Sequence, residues 1–274
     1  MPEGPEIRKA ADQVEKAIKD QPVLDISFAF ESLQGYEDQL RGAKVERVDT
    51  KGKAMLIRFD HGWTIYSHNQ LYGKWMIRNA YNYPNTNRQL RLAIHNEKKS
   101  ALLYSASDID VLLDEEVPNH LFISKIGPDI LSENIQADDL IHRFSSKPFH
   151  KRKWTSLLLD QSFVAGIGNY LRSEIMYVAQ IPPTARPVDC RPDQLAQAAK
   201  ATIDLMWQSY LHNGITTDLK VAEKLKLAGK TRKQYRHWVF NREGEPCHQC
   251  STSIVKFQAG SRRCYYCPTC QGEK

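Results

Sequence analysis

The sequence predicts a multi-domain α+β protein. Three observations carry that reading: a helical run followed by evenly spaced β-rich runs up to about residue 105, a change to helical periodicity after a Gly-Pro break at 127–128, and two Cys-x2-Cys pairs near the C-terminus. A chain of 274 residues, 41% hydrophobic and 26% charged, is long enough to bury a core in one large or two modest domains. Disordered, collagen-like and mini-protein classes are excluded. No apolar run approaches the roughly 20 residues of a membrane helix. The opening MPEGPEIRKA has acids and prolines where a signal peptide requires an apolar stretch, so a soluble, cytoplasmic protein with no membrane partner is expected.

The first element is a helix. Pro5 suits a first helical turn, Glu3 and Glu6 sit at its positive end, and Ile7, Ala10, Val14, Ala17 and Ile18 fall at helical spacing until Asp20-Gln21-Pro22 stops it. Short β-rich runs follow at 45–48, 55–59, 63–67, 75–78, 90–94 and 101–104, a rhythm that indicates a sandwich or barrel. Lys51-Gly52-Lys53 and Asp60-His61-Gly62 supply turns between them. Gly127-Pro128 interrupts both patterns, and helices are expected at 137–144, 153–159, 170–178 and 192–210, the last with Leu195, Ala198, Ala199, Thr202 and Met206 on one stripe. The segments 254–257 and 262–266, separated by Ala259-Gly260-Ser261, read as a hairpin. Three domains are expected: 1–125, 126–243 and 244–274.

Charge is unevenly spread. The formal net charge is +6, but residues 1–120 hold 16 basic and 18 acidic side chains, against 22 and 14 from residue 121 onward. Between Lys224 and Arg242 there are seven basic residues and no acid, interleaved with Tyr235, Trp238 and Phe240. A solvated face explains such a run; so does a flexible basic loop that neutralises phosphate, and polyanion binding stays open.

Four of the six cysteines form Cys247-x2-Cys250 and Cys267-x2-Cys270, the zinc-ribbon arrangement in which two knuckles place four thiolates around one Zn2+. Four protein ligands leave no open position for water or substrate, so the ion is structural and the chemistry lies elsewhere. A disulfide framework does not fit a chain without a secretory signal. Cys190 reads as a loop or core thiol and Cys264 as a strand residue. No HExxH, G-x-S-x-G or phosphate-cradling glycine loop is present in the sequence. One further feature is a proline directly after the initiator methionine, a common start that by itself usually means nothing but whose chemistry is specific. If Met1 is removed, Pro2 becomes a secondary amine that attacks an aldehyde-level carbon and gives an iminium ion directly.

The motifs PEGPEI (2–7), KGKAML (51–56), SHNQLYGKW (67–75), LLLDQSFVAGIGNYLRSEI (157–175) and CPTC (267–270), in that order, resemble the formamidopyrimidine-DNA glycosylase and endonuclease VIII family along essentially the whole chain. The resemblance implies an N-terminal helix with a β-sandwich, a helix-two-turn-helix domain and a C-terminal β-hairpin zinc ribbon, facing damaged double-stranded DNA across a cleft. It also implies a monomeric base-excision repair enzyme, a bifunctional DNA glycosylase and AP lyase. Within the family, Asn69-Gln70-Leu71-Tyr72 and the PEGPE start are similar to the endonuclease VIII branch, which implies oxidised pyrimidines as substrates. An oxidised-purine glycosylase and a non-catalytic damaged-DNA binder are the alternatives, the latter having no need of Pro2-Glu3.

The resemblance gives each position a role. Pro2 is implied as the nucleophile at C1′, and Glu3 as the general acid/base that protonates O4′. Glu6 stands one turn further, where the helix dipole explains it equally well. Lys53 is implied as a phosphate contact beside the lesion, although sequence alone prefers an exposed turn lysine. Gln70, Leu71 and Tyr72 are implied as the wedge that fills the hole left by a flipped nucleotide, although composition alone favours a hairpin with Leu and Tyr in the core. Asn169 is implied to bind phosphate, where it would otherwise be a routine cap. Arg262 is implied as the phosphate-gripping arginine of the ribbon, by its spacing to Cys267. Arg263 beside it and Arg172 after the Asn169 turn are weaker candidates, Arg172 being equally suited to a helix salt bridge.

Overall fold

The computed structural model describes residues 2–272. They form two compact units, the first ending at Ile126 and the second beginning at Gly127.

The first unit opens with α1 (Gly4–Ile18), in which Pro5 occupies the first turn and Ile7, Ala11, Val14 and Ile18 form a buried stripe. Then come β1 (Asp25–Phe28), the one-turn helices α2 (Glu31–Gln34) and α3 (Glu37–Leu40), β2 (Val45–Lys51), β3 (Ala54–Phe59), β4 (Trp63–His68), β5 (Lys74–Asn79), β6 (Leu90–His95), β7 (Lys99–Tyr104) and β8 (Asp108–Leu113). They build two four-stranded antiparallel sheets, ordered β1-β6-β7-β5 and β2-β3-β4-β8. Between the sheets lies a core of Ile26, Phe28, Val48, Ile57, Phe59, Ile65, Leu92, Ile94, Leu103 and Val111, against which α1 packs on strands of both sheets.

Two strands escaped the sequence reading, β1 and β8. In β8, Asp108 and Asp110 alternate with Ile109 and Val111, so one face is acidic and intrinsic β preference is weak. Pairing with β4 over its whole length, from Trp63↔Leu113 to His68↔Asp108, makes it a strand. Central strands lack alternation because their outer faces are covered too. Ala54, Leu56 and Tyr66 lie under Val117, Phe122 and Ile123 of the turns that follow β8.

The second unit contains α4 (Ala137–Ser145), α5 (Trp154–Leu157), α6 (Asn169–Val178), α7 (Pro192–Leu211), α8 (Leu219–Leu227), α9 (Arg232–Tyr235) and the hairpin β9 (Val255–Ala259) with β10 (Arg262–Tyr266). Its main core joins Leu140, Phe144, Trp154, Leu157, Phe163, Leu171, Ile175, Ala198 and Met206. All side chains of α6 from Tyr170 to Tyr177 are buried, because α6 packs on α7 on one side and on β10 on another.

The stretch 224–242, read as a solvated face or a flexible basic loop, has an exposed first part and a partly buried second part. It holds the end of α8 and all of α9, and Tyr235, His237, Val239 and Arg242 are buried. Its residues 238–240 are held by Glu174 of α6, whose fully buried carboxylate accepts the main-chain N–H groups of Trp238, Val239 and Phe240 at 2.7, 2.9 and 2.9 Å and the Thr216 hydroxyl at 2.5 Å. No helix among the described residues is long and apolar enough to cross a membrane.

Candidate functional site

In the first unit the site begins at the start of α1. Glu3 is its N-cap and only 2% exposed, and Pro2 beside it is half-buried. The Glu3 main-chain N–H donates to Glu6 Oε2 at 3.0 Å, and the Glu3 carbonyl accepts from Ile7 at 3.1 Å. Glu6 thus closes the helix start, which holds Glu3 in one place. Met1, whose removal the amine chemistry requires, lies outside the described residues.

β2 and β3 are joined by two residues, Gly52 and Lys53, with Lys51 paired to Ala54. Gly52 takes φ +61°, the left-handed conformation that such a two-residue turn demands of its first position. Lys53 is only 8% exposed, so the exposed turn lysine is not what forms. Ala54, the next residue, pairs with His68 across β3–β4. His68 was not singled out from the sequence, although it stands inside the SHNQLYGKW motif. Burial holds its pKa below the usual imidazole value; Asp108 opposes this and the Lys53 charge adds to it. The neutral ring accepts the Gln70 main-chain N–H at Nδ1, 3.1 Å away, and lies edge-on to Phe122.

Residues 69–73 connect β4 of one sheet to β5 of the other. The turn is closed by Gly73 N–H donating to the Asn69 carbonyl at 2.7 Å, with Gln70 at φ +47°. A Cβ on Gly73 would stand 2.6 Å from both the Asn69 Cα and carbonyl oxygen, so glycine is obligatory here. The side chains that follow point outward: Leu71 is 50% and Tyr72 67% exposed, and Gln70 is exposed as well. They are not core residues of a hairpin, because the turn crosses between sheets and leaves its tip outside both.

In the second unit, Asn169 opens α6 after the turn Gly166-Ile167-Gly168, in which Gly166 has φ +82°. Arg172 is completely buried. It donates to the Thr155 carbonyl at 3.0 Å, to Asn169 Oδ1 at 2.8 Å and to the Arg263 carbonyl at 2.6 Å. One guanidinium therefore fixes the Asn169 carboxamide and the main chain of β10 together. Arg262, one residue before, is exposed at the hairpin end, on a groove it shares with Lys153, Phe257 and Tyr266. Asn169, Arg172 and the hairpin are brought together within this unit, as Lys53, His68 and the 69–73 turn are within the other.

The ligand atoms of Cys247, Cys250, Cys267 and Cys270 all lie within 4.8 Å of one another. The sulfurs are 3.9 Å apart for Cys247–Cys270, 3.4 Å for Cys250–Cys267 and 3.5 Å for Cys250–Cys270. Sulfurs 2.3 Å from a tetrahedral ion stand about 3.8 Å apart, so the set fits a metal such as zinc. The Gln249 and Cys270 amides point at the Cys247 and Cys267 sulfurs at 3.5 Å, as thiolates require. Cys264 is a buried strand residue outside the cluster, and Cys190 is half-buried against the Trp154 indole, its thiol pushed up by burial.

Residues 1–106 match the formamidopyrimidine-DNA glycosylase N-terminal domain, and residues 126–220 match the H2TH domain of the same glycosylase. Fold and site together define a DNA glycosylase. Among its relatives, endonuclease 8 of Klebsiella pneumoniae is 43% identical over 271 residues, 99% of this chain and 100% of the relative. Endonuclease 8 of Escherichia coli is 42% identical over the same span. The chain belongs to the formamidopyrimidine-DNA glycosylase and endonuclease VIII family, whose members are DNA glycosylases and AP lyases of base-excision repair. Among solved structures, Lactococcus lactis Fpg bound to abasic-site DNA superposes with a TM-score of 0.81 at 20% identity, covering 99% of this chain and 100% of that one. A complex of the same protein with DNA containing an oxidised pyrimidine gives 0.80 at 19% identity with the same coverage. The shared architecture is the Fpg-like one: helix and β-sandwich, H2TH helices, and a hairpin carrying four cysteines.

Proposed function

We propose that this enzyme removes oxidised pyrimidines from double-stranded DNA through an iminium at Pro2 and cuts the strand by β- and then δ-elimination. After Met1 is removed, the Pro2 lone pair attacks C1′ as the base leaves with the electron pair of its glycosidic bond. The nitrogen then loses its proton and its lone pair forms the C1′=N bond. The C1′–O4′ bond breaks in that step, and Glu3 supplies the proton to O4′. Loss of a C2′ proton expels the 3′ phosphate, and a second elimination expels the 5′ phosphate.

The remaining residues bind and position. Lys53 neutralises a phosphate beside the lesion, Asn169 offers its amide N–H groups to another while Arg172 occupies its oxygen, and Arg262 grips a third. Cys247, Cys250, Cys267 and Cys270 hold one structural Zn2+ that keeps the hairpin carrying Arg262 in shape. The protein acts as a monomer on damaged duplex.

The observation that carries this reading is the exposed Gln70-Leu71-Tyr72 tip on its closed turn. Extruding a nucleotide leaves a void that an apolar wedge must fill, and an exposed Leu-Tyr pair has no folding reason to be there. Preference for pyrimidines is supported by the likeness to endonuclease 8 proteins and by the Gln-Leu-Tyr tip itself. Single-turnover excision from matched duplexes tests it. Thymine glycol, 5-hydroxycytosine or dihydrouracil should leave faster than 8-oxoguanine opposite cytosine, and the reverse order would move the enzyme to the purine branch. Borohydride should trap a covalent complex with damaged DNA, and trapping by a form that retains Met1 would refute the amine mechanism.

A further inference from the structure

The loop between β5 and β6, residues 80–89, takes no part in the chemistry above, yet it is anchored at one end and reaches the wedge at the other. At its base Tyr81 adopts φ +57° and stacks on His95, with ring centroids 4.4 Å apart and planes 12° from parallel. Its main-chain N–H donates to Ser100 Oγ at 2.9 Å. Buried His95 bonds Ser100 Oγ at 2.6 Å through Nδ1 and the Tyr83 hydroxyl at 2.9 Å through Nε2, so three side chains clamp the loop onto β6 and β7. At the far end, the Arg88 guanidinium donates to the main-chain carbonyl of Tyr72. Opposite it, Ser107 Oγ donates to Gln70 Oε1 at 3.0 Å.

We infer that residues 80–89 buttress the wedge, with Arg88 a positioning residue that holds the 69–73 turn ready for insertion; this rests on reading Gln70-Leu71-Tyr72 as the void filler. A turn ordered before DNA arrives has already lost its conformational freedom, so more of its contact energy goes to keeping the nucleotide extruded. Arg88 suits the task because a guanidinium bond to a carbonyl is charge-assisted, and because its own loop is clamped at the other end. Ser107 restrains the first wedge residue and Arg88 the last, so the tip is held from both sides.

The test compares R88A, R88K and L71A with the parent enzyme in single-turnover excision from duplex carrying whichever lesion the parent removes fastest. A single-stranded oligonucleotide with a pre-formed abasic site is the second substrate, because it has no base stack to hold open. R88A should slow duplex excision about five- to tenfold, reduce the fluorescence rise of 2-aminopurine placed opposite the lesion, and leave abasic cleavage in the single strand unchanged. R88K should recover most of the rate, since it keeps a donor in reach of the Tyr72 carbonyl. The salt dependence of duplex binding should not change in R88A. Normal duplex excision by R88A with slow excision by L71A would overturn the buttress while sparing the wedge. Parent-like rates in L71A would overturn the wedge and the buttress with it. A salt slope lowered by about one phosphate contact in R88A would make Arg88 a DNA ligand and refute the inference, as would equal losses on both substrates.

Discussion

Glu3 and His68 are both tied into the candidate site by main-chain hydrogen bonds. Glu3 is nearly inaccessible at a helix start, held by its own main-chain bonds, and a proton donor to O4′ must be held still. Glu3→Gln keeps shape and capping capacity but not the proton, so base excision should fall on the order of 10²-fold or more, with a much smaller loss on a pre-formed abasic site whose sugar is already open. Equal losses on the two substrates, measured by single-turnover kinetics, would remove Glu3 from that role. His68 is held neutral, and its Nδ1 is an acceptor for Gln70. Its folded pKa is depressed, so the neutral ring stabilises the native turn fully above the unfolded value near 6.5. That contribution is lost as pH falls through the lower folded value. An NMR titration should therefore return a His68 pKa below about 6.5, with the Gln70 amide resonance shifting in the same step; a value above 6.5 would contradict the acceptor geometry.

At the scale of elements, the 69–73 turn is the most constrained short segment of the first unit. It joins two sheets, so neither of its ends is able to slide, and its closure puts Gly73 against the Asn69 main chain at 2.6 Å. Gly73→Ala must open the turn, because the obstructing atoms are backbone. The cost to stability should be about 1–3 kcal/mol, the range for strain at a special backbone position, seen as a lower midpoint in urea. Duplex excision should fall with it, since Leu71 and Tyr72 would be re-aimed, and an alanine variant with unchanged excision would show that the turn tolerates other shapes. In the second unit the corresponding device is Arg172, which ties α6 to β10 through Asn169 and the Arg263 carbonyl. Helix and hairpin are thereby held as one element rather than two.

For the molecule as a whole, the four-cysteine segment is expected to depend on a bound metal such as zinc. Its satellite core is small, made of Tyr177, Val239, Cys247, Ile254, Tyr265 and Cys267, and two of those six are the thiols themselves. Metal binding must supply much of its folding energy. Cys247→Ser, or removal of zinc by a chelator, should weaken DNA binding while the first unit stays folded, as its own core of both sheets and α1 contains no cysteine. Normal DNA affinity in a zinc-free protein would exclude this dependence. Arg262→Ala should weaken binding on every duplex alike and flatten the salt dependence by about one phosphate contact, and an unchanged slope would place Arg262 away from the backbone.

Local rules by themselves determined α1, the turn at Gly52, the six strands β2 to β7, the hairpin and the cysteine cluster. Each follows from periodicity, a glycine conformation or a ligand spacing that acts over a few residues. The motif order was also enough to recognise the family. Tertiary structure alone decided what is buried and what protrudes. Leu71 and Tyr72 read as core by composition, and they are exposed because their turn runs between two sheets instead of within one. Lys53 reads as a surface lysine and is buried, while β8 became a strand through its pairing with β4. Residues 238–240 of the basic stretch are held by Glu174, 64 to 66 residues earlier, and Arg172 bonds the Arg263 carbonyl, 91 residues away. Hydrophobicity and spacing specify which elements form; which surfaces meet, and hence which side chains are left exposed, depends on contacts between residues far apart in the chain.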